Sequence, residues 1–434
     1  MAAVIDPKVF SLHGRGLRLD TKADIEPYLT GFDPALIEEI HLGGNTLGIE
    51  ASEALAEFLG KTTALKVRVD HAFTFFSLYL RPDSLLSQVA DFADIFTGRL
   101  ISEIPQALQN LCDALIPRDT LIELNLSDNA FGGRSVEPIV PFLTKNRSFQ
   151  ILKLNNNGLG PAGGAVIADA LLLSAQLSKK EGKKSSLRTV ICGRNRLEDG
   201  AAGSWAAAFR EHGGLVEIKM PQNGIRMDGI VELVRGISAN PGLQHLDLQD
   251  NTFSEKGAKA MADALKSWPE LLTLNVSDCH IAEEDGDVSP IFSPLAAGSN
   301  PKLNFLKLEN NNLETRTFEL LAEAIPEFLP VLKHLEIQWN DFEEEDEVIQ
   351  SLVGLLQRRG GKVIVNDEEE EEEELEAEEA AEEEALEAAE LEAEAEAAAQ
   401  PGQVIVTPER RKSMEADKTI EEDLAELLSK VALH

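Results

Sequence analysis

Hydrophobic residues recur along the chain in the pattern L-x-x-L-x-L-x-x-N. It runs Ile37/Ile40/Leu42/Asn45 and, after a gap, Leu121/Leu124/Leu126/Asn129, Phe149/Leu152/Leu154/Asn157 and Leu187/Val190/Cys192/Asn195. It continues through Leu215/Ile218/Met220/Asn223, Leu243/Leu246/Leu248/Asn251, Leu271/Leu274/Val276/Cys279, Leu303/Leu306/Leu308/Asn311 and Leu332/Leu335/Ile337/Asn340. From Asn129 onward the closing residues are 28, 38, 28, 28, 28, 32 and 29 positions apart, the regularity of a stacked repeat. In the x-L-x-L-x centre, alternation puts two apolar side chains on one face of a short strand. The closing Asn or Cys turns the chain, and its side chain bonds backbone groups that the turn leaves open. The second half of each unit reads as a helix. Ala258, Met261, Ala262 and Leu265 recur at helical spacing within 254–268, and 162–173 and 229–237 read the same way.

One strand and one helix per unit, stacked in parallel, must curve, because helices are wider than strands. This predicts an α/β fold, a leucine-rich-repeat horseshoe over residues 1–365 with parallel strands on the concave face and helices on the convex face. The 38-residue step comes from 177–186, LSKKEGKKSS, read as a basic, polar loop inserted after a helix. It is either a solvated excursion or a contact for an acidic or phosphorylated group. A second anomaly, 67–88, interrupts a repeat where a strand should run and brings Phe73, Phe75, Phe76 and Tyr79 into a chain poor in aromatics. Removing it would join Leu65-Lys66 to Val89-Ala90-Asp91-Phe92 and leave two repeats of ordinary length, as if a translated intron lay between them. After Val365 the repeats stop. Residues 366–400 are a Glu/Ala-rich acidic tail that cannot bury enough apolar surface to fold as a core. Residues 401–434 read as a linker and a short helix with Ile420, Leu424, Leu427, Leu428 and Val431 on one stripe.

Charge narrows the partner. The net charge is −36, and the stretch 367–400 carries −19 of it, through 18 Glu and Asp367 without one Lys or Arg. Such a surface repels phosphate backbones and anionic membranes and suits a basic protein, so neither nucleic acid nor membrane is an expected partner. The tail either stays solvated or speeds encounter with a basic patch. Cys112, Cys192 and Cys279 are far apart with no CxxC pair, which suits reduced packing residues in a reducing compartment. The N-terminus has no signal-length apolar run, and no segment reads as the roughly 20 apolar residues a bilayer crossing needs. The chain is therefore expected in the cytoplasm, as a monomer.

Self-contained chemistry is missing. Gly60-Lys61-Thr62 imitates the end of a phosphate-binding loop, but Leu55 stands where the motif needs glycine. The tripeptide also falls at a helix end, where carbonyls and not N–H groups are free. There is no HExxH, no histidine pair at metal spacing and no GxSxG elbow. No cofactor or metal is expected, and any catalysis must be lent to a partner.

Several stretches resemble the Ran GTPase-activating protein family, fungal members especially: ADIFTGRLISEIP at 93–105, LSDNAFG at 126–132, LNNNGLGP at 154–161, ICGRNRL at 191–197, LDLQDNTF at 246–253 and LKSWP at 265–269. The likeness covers roughly 10–350 and extends in kind to the acidic tail and to DLAELLSK at 423–430. It implies an activator of GTP hydrolysis on the small GTPase Ran, working on the GTP form in the cytoplasm or near the nucleus. A Ran-binding protein is a further candidate partner, and the role is to sustain the gradient behind nucleocytoplasmic transport. GTP and magnesium would belong to Ran, as would the water-positioning glutamine. The chain would thus be an activator and not itself an enzyme. The competing reading is a non-catalytic binding module of the ribonuclease-inhibitor type.

The resemblance implies that Asn156, the middle asparagine of LNNNGLGP, orients that glutamine. A carboxamide suits the task because it both donates and accepts. The repeat itself places Asn157 as the buried ladder residue and Asn156 one position earlier, on the exposed rim. Equivalent rim positions are Asp128, Arg194, Gln222 and Asp250, expected to touch the partner, and then Asp278, Asn310 and Trp339; none is aliphatic. Arg99 in DIFTGR has the chemistry of an arginine finger, but the resemblance implies that it matters without being an inserted finger, and loop and interface positioning is the favoured reading. An ion pair with Asp94 or Glu103 is the plain alternative. Ser413, after Arg410-Arg411-Lys412, is a weak phosphorylation candidate.

Overall fold

A computed structural model of the chain describes residues 8–62, 89–282 and 287–366. Among these, twelve three-residue strands form one parallel sheet in the order of the chain, apart from a pair of two-residue strands. The first third contributes β1 (Val9–Ser11), β2 (Arg18–Leu19), β3 (Glu39–His41), β4 (Thr46–Leu47) and β5 (Val89–Asp91). Next come β6 (Glu123–Asn125), β7 (Ile151–Lys153), β8 (Thr189–Ile191), β9 (Glu217–Lys219) and β10 (His245–Asp247). β11 (Thr273–Asn275), β12 (Phe305–Lys307), β13 (His334–Glu336) and β14 (Lys362–Ile364) complete the series. Among the described residues β2 and β4 pair only with each other.

The central residue of every sheet strand is aligned with that of the next, as in Ala90↔Leu124, Leu124↔Leu152 and Leu152↔Val190. All of these centres, from Phe10 to Val363, are buried. A slip of one residue would turn this entire row to solvent, which is why the register holds through every repeat. Helices return the chain on the other side. The first four are α1 (Lys22–Leu29), α2 (Ile49–Leu59), α3 (Ile104–Leu115) and α4 (Val140–Lys145). They are followed by α5 (Gly160–Lys180), α6 (Glu198–His212), α7 (Met227–Ile237) and α8 (Ser254–Leu265), then α9 (Phe292–Ala296), α10 (Thr315–Phe328) and α11 (Glu347–Gln357). Strands sit about 4.8 Å apart and packed helices about 8–10 Å apart, so the strand face is the concave one.

The closing asparagines form the expected ladder. Asn157 is fully buried; its Nδ2 donates to Leu126 O (2.9 Å) and Leu154 O (3.0 Å), and its Oδ1 accepts from the Asn129 N–H (3.1 Å). Each amide thus staples its own repeat to the one before. Cys279 occupies the same position with a thiol that donates to Leu248 O at 3.3 Å. A second ladder, which the sequence pattern did not reveal, runs along the helix ends. Asn146 donates to Leu115 O and Arg118 O, Asn240 to Phe209 O and Ile237 O, and Asn300 to Leu265 O and Trp268 O. Its signal was present: each stands three residues before the first apolar residue of a repeat, Phe149, Leu243 or Leu303.

Strands β1 and β14 extend the sheet beyond the predicted repeats. They lack the closing asparagine, with Arg15 in that place after β1, and terminal units have only one neighbour to staple. Residues 177–180 continue α5 and are not loop, because Ala175 and Ser178 stay buried. The chain then turns at Gly182, whose φ of +72° lies in the left-handed region open to glycine. The longer step is absorbed on the helical side, and Leu152 still pairs with Val190. By length and composition α5 also reaches the threshold for a membrane span. It packs instead between α4 and α6, with Ile167, Ala168 and Leu171 buried. Finally, the insertion 67–88 lies outside the described residues, as do the acidic tail from 367 and the terminal segment. The repeat nonetheless resumes at Val89, and β5 pairs in register with β3 and β6.

Candidate functional site

Leaving each strand, the chain turns along one rim of the sheet, and every predicted rim residue adopts the left-handed conformation. The φ values are +62° at Asp128, +53° at Asn156, +54° at Arg194, +53° at Gln222 and +52° at Asp250. Asp278, Asn310 and Trp339 follow at +53°, +47° and +58°, while glycines take the place in the first two repeats, Gly14 and Gly44. Asn and Asp tolerate this region best after glycine, so the abundance of both on the rim has a backbone cause before any functional one. The rim N–H groups are committed: Asp128 donates to Asn155 O (2.8 Å), Asn156 to Gly193 O (3.0 Å), Arg194 to Pro221 O (2.9 Å) and Gln222 to Gln249 O (2.9 Å). The Cα positions are therefore held rigidly by the next repeat while the side chains project outward.

Asn156 and Asn157 show the consequence of one residue of register. The Asn157 amide is locked in the core, whereas Asn156 is exposed, and its Nδ2 donates to the Asp128 carboxylate at 3.1 Å. Asp128, Arg194, Gln222 and Asp250 are exposed as well. With neighbouring strands about 4.8 Å apart, the five positions from Asp128 to Asp250 cover about 20 Å. The concave face beside them largely neutralises itself, Lys153 pairing with Glu123 (2.6 Å) and Lys219 with Glu217 (2.9 Å). Toward the far end, burial and the neighbouring Glu336 push the Glu309 carboxyl up to about 8. Burial also raises the thiols of Cys112 and Cys192 to about 12, which makes them inert packing residues.

Arg99 lies elsewhere and does something different. Its side chain is only 5% exposed, so it cannot reach outward as a finger. Nor does it pair with Asp94 or Glu103: Asp94 accepts from the Thr97 hydroxyl, and Glu103 accepts from the Leu100 N–H at 3.2 Å. Its partner is Asp20, 79 residues earlier, and Nη2 donates to Leu19 O (3.2 Å) and Thr46 O (3.0 Å). Hydrogen bonds from Arg18 and Arg99 hold the Asp20 carboxyl below its usual range. Gly48 makes room for the fork, since a Cβ there would stand 3.1 Å from Nη1 and 2.8 Å from Asp20 O. Arg99 thus clamps the loop after β5 to the first two repeats. Arg99→Ala is expected to leave the later repeats intact while the Thr46 and Gly48 amides, which close the β2–β4 ribbon, exchange with solvent at least about tenfold faster. Arg99→Lys should not restore them, because an ammonium cannot span three acceptors in a plane. Unchanged exchange at both amides would remove the clamp.

Gly60 caps the end of α2 with its N–H on Ala56 O, and the Thr62 hydroxyl donates to Leu59 O at 2.7 Å, so neither faces a ligand. Among the described residues, no group of three His, Cys, Asp or Glu side chains is placed to hold a metal ion. Asp20 as the Arg99 partner and Asp128 as the Asn156 acceptor were not legible in the sequence; both depend on how repeats stack.

Comparison with known proteins places this arrangement. A leucine-rich-repeat family model matches residues 120–140, 145–168 and 239–262. The chain is 36% identical over 353 residues to Ran GTPase-activating protein 1 of Saccharomyces cerevisiae, covering 80% of this chain and 82% of that protein. It is 39% identical over 219 residues to Ran GTPase-activating protein 1 of Xenopus laevis, covering 50% of this chain but only 34% of the frog protein. The ribonuclease inhibitor of Sus scrofa is more distant, 24% identical over 279 residues and 57% of this chain. With that identity to the yeast protein over four fifths of each, the chain belongs to the Ran GTPase-activating protein family.

Proposed function

We propose that this chain activates GTP hydrolysis by Ran, lending the GTPase a positioned carboxamide and no chemistry of its own. Asn156 faces the partner's nucleotide pocket and fixes the side chain of the glutamine that holds the attacking water. Ran brings the nucleotide, the magnesium ion and that glutamine, so the chain is an activator and not an enzyme. Orientation and preorganised dipoles are enough to give a large acceleration when the partner already holds its reactants. Asp128, Arg194, Gln222 and Asp250 form the contact surface around Asn156, and Arg99 acts at a distance by holding the β5 loop. The acidic character of the chain suits a basic face of Ran and opposes nucleic acid and membrane binding. The chain works as a monomer in the cytoplasm, near the nuclear envelope, where a Ran-binding protein can share the complex.

The observation that carries this reading is the position of Asn156: exposed, on a backbone held by the next repeat, inside the LNNNGLGP stretch on which the resemblance to the family rests. The test is phosphate release from Ran·GTP with the chain at one-hundredth of the GTPase concentration. Acceleration with many turnovers per molecule is the expected result. Binding without acceleration would leave the ribonuclease-inhibitor type of module, whose horseshoe this chain resembles at lower identity.

A further inference from the structure

We propose that Asp128 is a positioning residue for Asn156: its carboxylate takes one amide N–H and so decides which end of the carboxamide faces the partner. The proposal rests on Asn156 being the group that orients the partner's glutamine. An isolated surface carboxamide can turn over about its last torsion and present either oxygen or nitrogen at little cost. Here Asn156 Nδ2 lies 3.1 Å from Asp128 Oδ1. This bond is charge-assisted, and the flipped amide would set its oxygen against the carboxylate. Both backbones are pinned, Asp128 through its N–H to Asn155 O and Asn156 through its N–H to Gly193 O, so the pair meets without further ordering. Among the described residues no hydrogen bond reaches Asn156 Oδ1, which leaves that oxygen free to accept. It would take an N–H of the partner's glutamine and turn that glutamine's own carbonyl oxygen toward the attacking water.

The same device occurs once more on the rim, where Asn310 Nδ2 donates to Asp278 Oδ1. At φ +53° and +47° those two residues repeat the backbone of the first pair. Neighbouring left-handed rim positions therefore suffice to align an Asp with an Asn one repeat on, and the distal pair supplies a control with the same chemistry away from Asn156.

The left-handed backbone also dictates how to test it. Alanine at φ +62° is strained, whereas glycine is native to this position at Gly14 and Gly44, so Asp128→Gly removes the carboxylate cleanly. In steady-state phosphate release from Ran·GTP, Asp128→Gly is expected to lower kcat about tenfold with KM within about twofold of wild type. Asp128→Asn keeps an acceptor oxygen and should retain kcat within about threefold. Combined with Asn156→Gly, Asp128→Gly should cost nothing more, because there is no amide left to orient. Asp278→Gly should leave kcat unchanged. A rise in KM with unchanged kcat would make Asp128 a docking charge and overturn the proposal, as would an additive loss in the double variant or an equal loss from Asp278→Gly. If Asn156→Gly turns over normally, the glutamine-orienting reading itself falls, and this proposal with it. Loss in Asn156→Gly beside normal turnover in Asp128→Gly refutes the positioning role alone.

Discussion

Replacing Asn156 by glycine is expected to reduce acceleration of Ran·GTP hydrolysis by about 10²- to 10³-fold, the usual cost of deleting one preorganised polar group at a reacting centre. The fold should not notice. Asn156 is exposed, and among the described residues its side chain bonds only to the exposed Asp128. Glycine is the right deletion, since alanine lacks both glycine's freedom and the short polar side chain with which Asn tolerates φ +53°, so Asn156→Ala would add backbone strain of about 1 kcal/mol to the functional loss. Asn156→Asp should fail too, because it removes the donor and sets two carboxylates side by side. The measurement is single-turnover phosphate release at saturating activator, together with the affinity for Ran loaded with a non-hydrolysable GTP analogue. Affinity is expected to fall only a few-fold, since one exposed amide contributes little to a surface about 20 Å long. Loss of turnover with affinity retained identifies a catalytic group; loss of both in parallel would make Asn156 an ordinary contact and end the mechanism.

The neighbouring residue is expected to give the opposite result. Asn157→Ala removes no exposed group, yet it deprives the Asn129 N–H of its acceptor and takes one of two amide donors from each of Leu126 O and Leu154 O, which keep Asn129 Nδ2 and Asn195 Nδ2. The buried N–H left unpaired costs about 1–3 kcal/mol and each of the two other lost hydrogen bonds about 0.5–1.5 kcal/mol, so a total of about 2–5 kcal/mol is expected, toward the upper end for single substitutions. Because stability in a stacked array is a sum over neighbours, the damage should be local. Thermal or denaturant unfolding should show an early transition, with hydrogen exchange accelerated across β6, β7 and β8 and little change near β13. The chain supplies its own control in Cys279, which fills the same position with a thiol donating to Leu248 O and Ser277 O. Asn157→Cys should therefore recover much of what alanine loses. Equal destabilisation by Cys and Ala would mean that side-chain volume, and not the hydrogen bonds, holds the ladder.

The contrast between these adjacent asparagines shows how much was legible in the amino-acid sequence. A periodic pattern with a closing asparagine determines strand, turn, helix and register, because each is a local consequence of which residues alternate and where a polar side chain can turn the chain. That logic separates the buried Asn157 from the rim residue Asn156. It also places the repeat's resumption at Val89 after an insertion that breaks the period. The motifs LNNNGLGP and DIFTGR carried the family, and the yeast relative bears that out.

Other features emerge only when repeats are stacked. Arg99 reads as a loop arginine beside Asp94 and Glu103, but its acceptors Asp20, Leu19 O and Thr46 O belong to two earlier repeats. Sequence proximity favoured the wrong acids, since a pair 79 residues apart is adjacent only when the intervening strands are laid in register. The Asp128–Asn156 bond and the ladder of Asn146, Asn240 and Asn300 arise in the same way. By itself the sequence determined the repeat, its register, its family and which asparagine faces outward, because these follow from local alternation and turn chemistry. Only the tertiary structure decided what each polar side chain holds, because those bonds cross from one repeat to another and no local pattern encodes their partners.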